Sequence, residues 1–575
     1  MSDFFFDHGL QEREEQKEEE KNVEIKEESD NEEHQRENEE EEVREETQVL
    51  RRSDRPRVKP RYLEDYILLT IEGEMLLVCL NNEPQNYREA KESREWTRAC
   101  EEEISSIERF KVWDLVDLLI GVKPIGLKWV FAPVARLETI RLLIDLAASH
   151  GWEIYHLDVK TAFLHGELKE TVYVCQPEGF EKEGSGSKVY KLNKALYGLR
   201  QAPRAWNNKL NQILVELQFV KCSKEPSVYR KQVKEHLLVV GVYVDDLFVT
   251  GTSLELITSF KREMALNFEM SDLGKLTYYL GIEVLQHQNG ITLNQTRYAQ
   301  RILEEAGMKD CNMVHTPMET GLNFSKAENE KEIDASLFRK HVGCLRYLLH
   351  TRPDLSYAVG ILSRYMQSPR ESYGAAMKQC LRYLKGTTTY GLTFVRTSVP
   401  KLIGYSDSSH NVDEDDGKST AGHMFYLGEG PISWCSHKQD VVALSSCEAE
   451  FMAGTEAAKQ AIWLEELLCE IMGSSSEKVT IRIDNRYAIA LTKNPVFHGR
   501  SKHIYRRYHF IRECVENGQI EVEHVPGSNQ KADILTKALG KIKFREMREL
   551  IGVQDLEKMR FKLKGENIRV SLKEA

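Results

Sequence analysis

The stretch GVYVDDLFVTG, Gly241 to Gly251, decides how this chain is read. Apolar and β-branched runs from Leu237 to Val244 and from Leu247 to Thr250 flank two adjacent carboxylates, Asp245 and Asp246, which predicts a tight β-hairpin with the acids at its turn. Neighbouring carboxylates repel each other, so a chain that holds them beside an apolar sheet must relieve the repulsion by protonation, a basic partner or a divalent cation. Hard oxygen ligands with no His or Cys close in sequence point to magnesium, with manganese as the alternative. On the dipeptide alone, a solvated Asp-Asp turn is the simpler reading.

A second acid upstream changes that balance. Trp152 to Val159 predicts a strand with Asp158 near its end, inside LDVKTAFLHG. Paired beside the hairpin, that strand brings three carboxylates together, a set able to hold two metal ions for in-line phosphoryl transfer. YVDD and LDVKTAFLHG, with KALYGLRQAPRAW between them at Lys194 to Trp206, resemble the reverse transcriptase of copia-type LTR retrotransposons. The resemblance extends from about Glu83 to Leu539. It implies that Asp158, Asp245 and Asp246 are catalytic metal ligands for attack of a primer 3′-hydroxyl on the α-phosphate of a deoxynucleoside triphosphate. It also implies that Phe163 packs against the sugar and excludes a 2′-hydroxyl, and that Gln201 lies near the incoming nucleotide. Without the motif, Phe163 reads as an ordinary core residue.

At 575 residues the chain is too long for one core, and 41% hydrophobic content supports a globular body. The net charge of −12 is misleading, because residues 1–50 hold 21 acids and 6 bases and the remainder is close to neutral. That Glu-rich segment is too polar to bury a core and is expected to be disordered. Bulk charge therefore offers no evidence for a nucleic-acid groove. The eleven cysteines include no CxxC pair or Cys/His cluster of zinc spacing, and read as reduced core thiols. No signal peptide is expected in MSDFFFDHGL, and the Tyr66 to Leu80 stretch, interrupted by Glu72, Gly73 and Glu74, is too short to span a membrane.

In chain order, Arg51 to Tyr66 is a basic, Pro-containing linker, followed by a helical pattern and by strands expected at Val112 to Val116 and Lys128 to Val130. GLKWV at Gly126 to Val130 then runs straight into FAPVARLETIRLL. In the family a few tens of residues separate these motifs, including a basic strand pair expected over the triphosphate. Its absence would remove charge that offsets the triphosphate and would expose sheet edges. After the junction, Pro133 reads as a helix start, Leu137, Ile140, Ile144 and Ala148 recur at helical spacing, and Gly151 can end the helix. Strands are expected at Thr171 to Cys175 and Lys188 to Leu192, and a helix from about Pro203 to Leu217. YYLGIEV at Tyr278 to Val284 stands where the family contacts the primer, and residues 291–400 read as mainly helical. Arg352, in TRPD, receives no assignment.

From Leu402 to Leu539 a further unit is expected. LIGYSDSSH predicts a strand carrying Asp407, and Gly422 to Trp434 further strands. Ser445-x-x-Glu448 is a capping-box pattern opening a helix that runs toward Gly473, VTIRIDN a strand ending at Asp484, and Asp533 the start of a helix. Four acids at these spacings mean little alone. With their motifs they resemble the RNase H domain of the same elements, which implies that Asp407, Glu450, Asp484 and Asp533 bind two magnesium ions. Glu450 rather than Glu448 matches the family spacing, leaving Glu448 as the cap. SDSSHN lacks a second acid and Trp common in the family, and Tyr505 stands where an acid is common. His503, His509 and His524 are given no role, since lone histidines are more often structural.

The expected fold is multidomain α/β and α+β: a polymerase palm and fingers, a helical thumb and connection, then an RNase H-like mixed sheet. The expected boundaries are 1–50 acidic tail, 51–82 linker, 83–320 truncated fingers and palm, 321–400 thumb and connection, 401–540 RNase H-like domain and 541–575 terminal tail. The expected partners are an RNA template, a DNA primer or RNA–DNA hybrid and deoxynucleoside triphosphates, with two magnesium ions per site and no membrane. The expected location is intracellular, either cytoplasmic in a virus-like particle or nuclear. The alternative is a decayed or domesticated remnant with an inactive polymerase, keeping RNase H activity or only nucleic-acid binding.

Overall fold

The computed structural model describes residues 94–118, 124 and 136–558, apart from 178, 183, 186–187, 198, 200, 323–324, 398–399 and 494–505. The acidic segment, the linker, the strand expected at Lys128 to Val130, the Val130–Phe131 junction, Pro133, His503 and Tyr505 lie outside the described residues.

The first part runs α1 (Arg94–Arg109), β1 (Trp113–Asp117), α2 (Leu137–His150), β2 (Ile154–Val159), β3 (Glu167–Val174), β4 (Lys188–Lys194), α3 (Ala202–Glu216), β5 (Val220–Lys221), β6 (Val228–Val233), β7 (His236–Tyr243), β8 (Asp246–Gly251), α4 (Leu254–Asn267) and β9 (Met270–Lys275). A small sheet has the order β1-β4-β3, and a six-stranded antiparallel sheet the order β5-β6-β7-β8-β2-β9. The larger sheet is buried on both faces. Leu237, Val239 and Phe248 join one apolar core, while Leu238, Val240, Leu247 and Val249 join another. Burial on both faces explains why β7 and β8 are continuous apolar runs and not an alternation.

The chain continues through β10 (Tyr278–Tyr279), β11 (Ile282–His287), β12 (Gly290–Asn294), α5 (Thr296–Glu305), α6 (Ala335–Leu348), α7 (Ser356–Ser363), α8 (Glu371–Lys385) and β13 (Tyr390–Val395). Residues 291–400 are therefore helical only in the middle, because β12 and β13 pair with each other at its two ends. Arg352, buried between α6 and α7, donates to both carboxylate oxygens of Asp354 at 2.9 and 2.8 Å and to Thr387 O at 2.7 Å. It anchors the helices.

The last part holds β14 (Leu402–Ser408), β15 (Thr420–Leu427), β16 (Gly430–Lys438), α9 (Ser446–Met472), β17 (Val479–Ile483), α10 (Arg486–Lys493), α11 (Phe510–Glu516), β18 (Ile520–His524), α12 (Asp533–Thr536), α13 (Lys541–Leu550) and β19 (Val553–Asp555). The sheet order is β16-β15-β14-β17-β18, antiparallel through β14 and parallel from β14 to β18. With α9 packed across β14, β15 and β17, this is the RNase H-like mixed sheet that the resemblance implied. Residues 541–555, expected in a terminal tail, instead bury Phe544, Met547, Ile551 and Val553 and add β19 to the sheet β10-β11-β12-β13-β19.

One element joins these parts. The spacing in α2 predicts one apolar stripe, yet every residue from Thr139 to Ser149 is buried. The helix packs against β12, β13 and β16, and Arg141 reaches across to donate to Ile432 O at 2.8 Å and His350 O at 3.2 Å while stacking 3.9 Å from the Trp434 ring. Gly151, at φ 69°, ends it, a conformation that glycine adopts without steric cost.

Candidate active sites

The first site forms where β2 meets the β7–β8 hairpin. Asp158 stands directly opposite Asp246 in the antiparallel register, and Tyr243 pairs with Asp246 to leave Val244 and Asp245 as a two-residue turn. Val244 has φ 56°, a left-handed conformation that β-branched residues rarely adopt. Trp206 of α3 fixes this turn by donating its indole N–H to Val244 O at 2.7 Å. His156, two residues before Asp158 on the same strand face, lies 2.6 Å from Asp246 Oδ1.

The electrostatics follow from burial and crowding. Burial first, then Asp246 and Asp158, push the Asp245 carboxyl up to about 6. Asp158 is raised by burial and by Asp246, with His156 and Lys160 opposing the rise. Strand pairing brings Asp158, Asp245 and Asp246 to one end of the sheet. Their oxygens do not, however, form a mutual cluster within 4.8 Å; the imidazole of His156 instead holds one oxygen of Asp246. Phe163 is buried in a 3₁₀ turn, Ala162–His165, with its ring edge-on to Tyr197 at 4.9 Å. The Tyr197 hydroxyl is raised by burial first, then by Glu103, Asp245 and Asp158. Gln201 precedes α3, half-buried, its carbonyl accepting from Ala205 N at 2.9 Å.

The second site assembles from four elements. Asp407 lies near the end of β14, Glu450 in the first turns of α9, Asp484 immediately after β17 and Asp533 at the start of α12. Oxygens of Asp407, Asp484 and Asp533 come within 4.8 Å of one another. Glu450 Oε1 accepts from Ser408 N at 3.2 Å, and Oε2 is buried with no hydrogen-bond partner. Ser445 caps α9 by accepting from Glu448 N at 3.2 Å, while Glu448 Oε2 accepts from Leu444 N at 2.9 Å. Glu448 is thus occupied by the cap and Glu450 turns to the acids.

The packing that permits this is tight. Gly422 pairs with Asp407 on β15, and a Cβ there would stand 2.8 Å from both Leu535 Cβ and Thr536 Cγ2. Its bareness lets α12 lie on the sheet. Thr536 then donates its hydroxyl to Asp407 Oδ2, and Lys537 Nζ lies 2.8 Å from Asp533 Oδ1 and 3.7 Å from Asp407 Oδ2. Burial first, then Asp407 and Asp484, push Glu450 well up; burial and Asp533 raise Asp484; burial and Asp407 raise Asp533. Buried hard oxygens, Glu450 Oε2 and Asp533 Oδ1 among them without a hydrogen-bond partner, suit divalent cations that Asp407, Glu450, Asp484 and Asp533 could hold. His524 ends β18 and opposes the rise at Asp484, while His509 packs edge-on to Phe451 at 5.7 Å.

No motif gave a role to His156, Thr536 or Lys537, and Trp206 closes KALYGLRQAPRAW without being assigned one. His156 was accessible from the period of a strand, and Lys537 from its helical spacing to Asp533. Neither pattern reveals the partner across the fold, Asp246 or Asp407.

The model of the family "Reverse transcriptase (RNA-dependent DNA polymerase)" matches residues 130–320. The retrovirus-related Pol polyprotein from transposon TNT 1-94 of Nicotiana tabacum is 36% identical over 553 residues, covering 88% of this chain and 41% of the tobacco protein. The corresponding polyprotein from transposon RE2 of Arabidopsis thaliana is 35% identical over 83% of this chain and 35% of its own length. The chain therefore spans well under half of these two polyproteins. A transposon Ty5-1 protein of Saccharomyces cerevisiae is 32% identical over 307 residues, 53% of this chain and 100% of the yeast protein. Among solved structures, RNase H1 from Halobacterium salinarum is 16% identical over 24% of this chain and 94% of its own, with a TM-score of 0.18. The chain therefore belongs to the retrovirus-related Pol polyproteins of copia-type transposons, of which it holds a reverse transcriptase domain followed by the mixed sheet of β14 to β18.

Proposed function

We propose that the chain is an RNA-directed DNA polymerase with RNase H activity, copying RNA into DNA at the first site and degrading the RNA of the resulting hybrid at the second. The observation that carries this reading is the assembly of two acid sets from residues remote in sequence, Asp158 opposite Asp246 and Asp407 beside Asp484 and Asp533. Two divalent ions per site, magnesium or manganese, would activate the attacking oxygen and stabilise the leaving one. Asp158, Asp245 and Asp246 would hold them at the polymerase site, and Asp407, Glu450, Asp484 and Asp533 at the nuclease site. Trp206 keeps the turn that presents Asp245 in place, and Phe163 forms the wall against which a deoxyribose packs and a 2′-hydroxyl clashes. Gln201, at the head of α3, borders the incoming deoxynucleoside triphosphate. The partners on this reading are an RNA template, a DNA primer and their hybrid inside the cell, in a particle or the nucleus.

A second reading keeps the nuclease and loses the polymerase. It is favoured by the contrast between the sites, since the nuclease carboxylates converge within 4.8 Å and the polymerase carboxylates do not. The shortened sequence at Val130–Phe131 points the same way.

One experiment separates the readings. Purified protein with magnesium is given a primed homopolymer RNA and labelled nucleotide, and in parallel an RNA–DNA hybrid. Extension lost in Asp245→Asn/Asp246→Asn and cleavage lost in Asp407→Asn are expected. Cleavage without extension establishes the second reading, and two blank assays in folded protein overturn both.

A further inference from the structure

Lys537 is the feature of the nuclease site that the proposed chemistry leaves unused. Its ammonium lies 2.8 Å from Asp533 Oδ1 and 3.7 Å from Asp407 Oδ2, between two carboxylates that the proposed function assigns to metal. Asp407 Oδ2 also accepts from the Thr536 hydroxyl. The hydroxyl takes one lone pair of that oxygen, and the ammonium 3.7 Å away opposes any cation that approaches the other. A magnesium ion at about 2.0–2.1 Å from such an oxygen is repelled by the ammonium already beside it.

Three observations make this a displaceable partner and not a locked ion pair. The Lys537 side chain is 42% exposed, whereas that of Arg352 in the buried pair with Asp354 is 1% exposed. Its flexible four-carbon stem, starting just after the last residue of α12, can carry the ammonium outward without moving the helix. Finally, the neutralisation is one-sided: the ammonium lies 3.7 Å from Asp407 and 2.8 Å from Asp533, while no cation among the described residues forms an ion pair with Glu450.

We infer that Lys537 is a resident counter-ion of the nuclease site: it holds Asp407 and Asp533 together in the metal-free protein, and the divalent ion that fills this side of the site must displace it. Lys537 then acts as a positioning residue that sets the ion concentration at which the site fills. The Glu450 side, with no internal cation, fills first. The inference rests on the reading of the four acids as metal ligands.

The test is calorimetric titration of the full chain with manganese and with magnesium, without nucleic acid, in the Asp158→Asn/Asp245→Asn/Asp246→Asn background that removes the three polymerase acids. Lys537→Gln is expected to bind the ion roughly tenfold more tightly than its parent. Lys537→Arg, which keeps the charge and controls for folding, is expected to bind no more tightly than the parent. The metal-free melting temperature of Lys537→Gln should fall, and saturating magnesium should restore it. Metal binding that is present in the parent and unchanged or weakened in Lys537→Gln overturns the role of Lys537 alone. No binding in either protein overturns the metal reading of the acids, and this inference with it.

Discussion

Asp245 shows how a single residue is held in an unfavourable state for use. It shares its turn with Val244, whose φ of 56° costs on the order of 1–2 kcal/mol for a residue with a Cβ. The Trp206 indole opposes that cost by bonding the Val244 carbonyl. The Asp245 carboxyl is raised from 3.8 to about 6, so the folded protein binds this proton more tightly than the unfolded chain does. Its contribution to stability is therefore fully present below about pH 4 and is lost as pH rises through about 6. Metal-free Asp245→Asn should consequently be more stable than the parent above pH 6, by on the order of 2 kcal/mol, with the difference vanishing near pH 4. Thermal melts across this pH range check the sign, and added magnesium should shrink the gap. A parent that gains stability over the variant between pH 4 and 7 without metal would contradict the assigned shift.

At the scale of elements, two packings carry distinct consequences. The contact of α12 with β15 depends on Gly422, and Gly422→Val should drive Leu535 and Thr536 off the sheet. Hybrid cleavage is expected to fall at least about tenfold while primer extension persists, and overpacking of this kind costs about 1–3 kcal/mol. Unchanged cleavage in the variant would show that α12 does not position the acids. The packing of α6, α7 and α8 depends on the Arg352–Asp354 pair, which Tyr383 completes by donating its hydroxyl to Asp354 Oδ2 at 2.6 Å. Arg352→Met leaves a buried carboxylate without its cation, and denaturant unfolding should show a loss of about 3–5 kcal/mol.

At the scale of the molecule, the carboxyl end of α9 reaches back to β6 and the loop that precedes it. Arg230 Nη1 donates to Glu470 O at 2.8 Å, Lys224 N to Glu470 Oε2 at 3.1 Å, the Trp463 indole to Lys224 O at 3.1 Å, and Lys224 Nζ pairs with Glu466 at 2.8 Å. Exposed pairs of this kind each contribute under about 1 kcal/mol, so their work is alignment more than stability. Glu470→Ala should accordingly raise hydrogen exchange at the amides of Cys222 to Ser227 and leave each activity measurable on its own; unchanged exchange would show that the contact constrains nothing. The apolar core beneath is continuous, since one cluster runs from Ile140 in α2 to Val553 in β19.

Much of this was legible in the chain because it is written locally. The YVDD hairpin, the β2 strand, the Ser445 cap and the Gly151 stop each follow from apolar runs, turn acids and capping residues within a few positions, and the motifs around them named the family. The tertiary structure alone decided the rest. Spacing in α2 shows one apolar face because a sequence pattern cannot register two neighbours, yet the helix is buried all round between parts of the fold far apart in the chain. Residues 541–555 read as a tail because three residues of β19 carry almost no periodic signal, and their pairing with β13 spans more than 150 positions. His156 at Asp246 and Lys537 at Asp407 are decided in the same way: charge pairs depend on distances in space, and only the closed fold sets those distances.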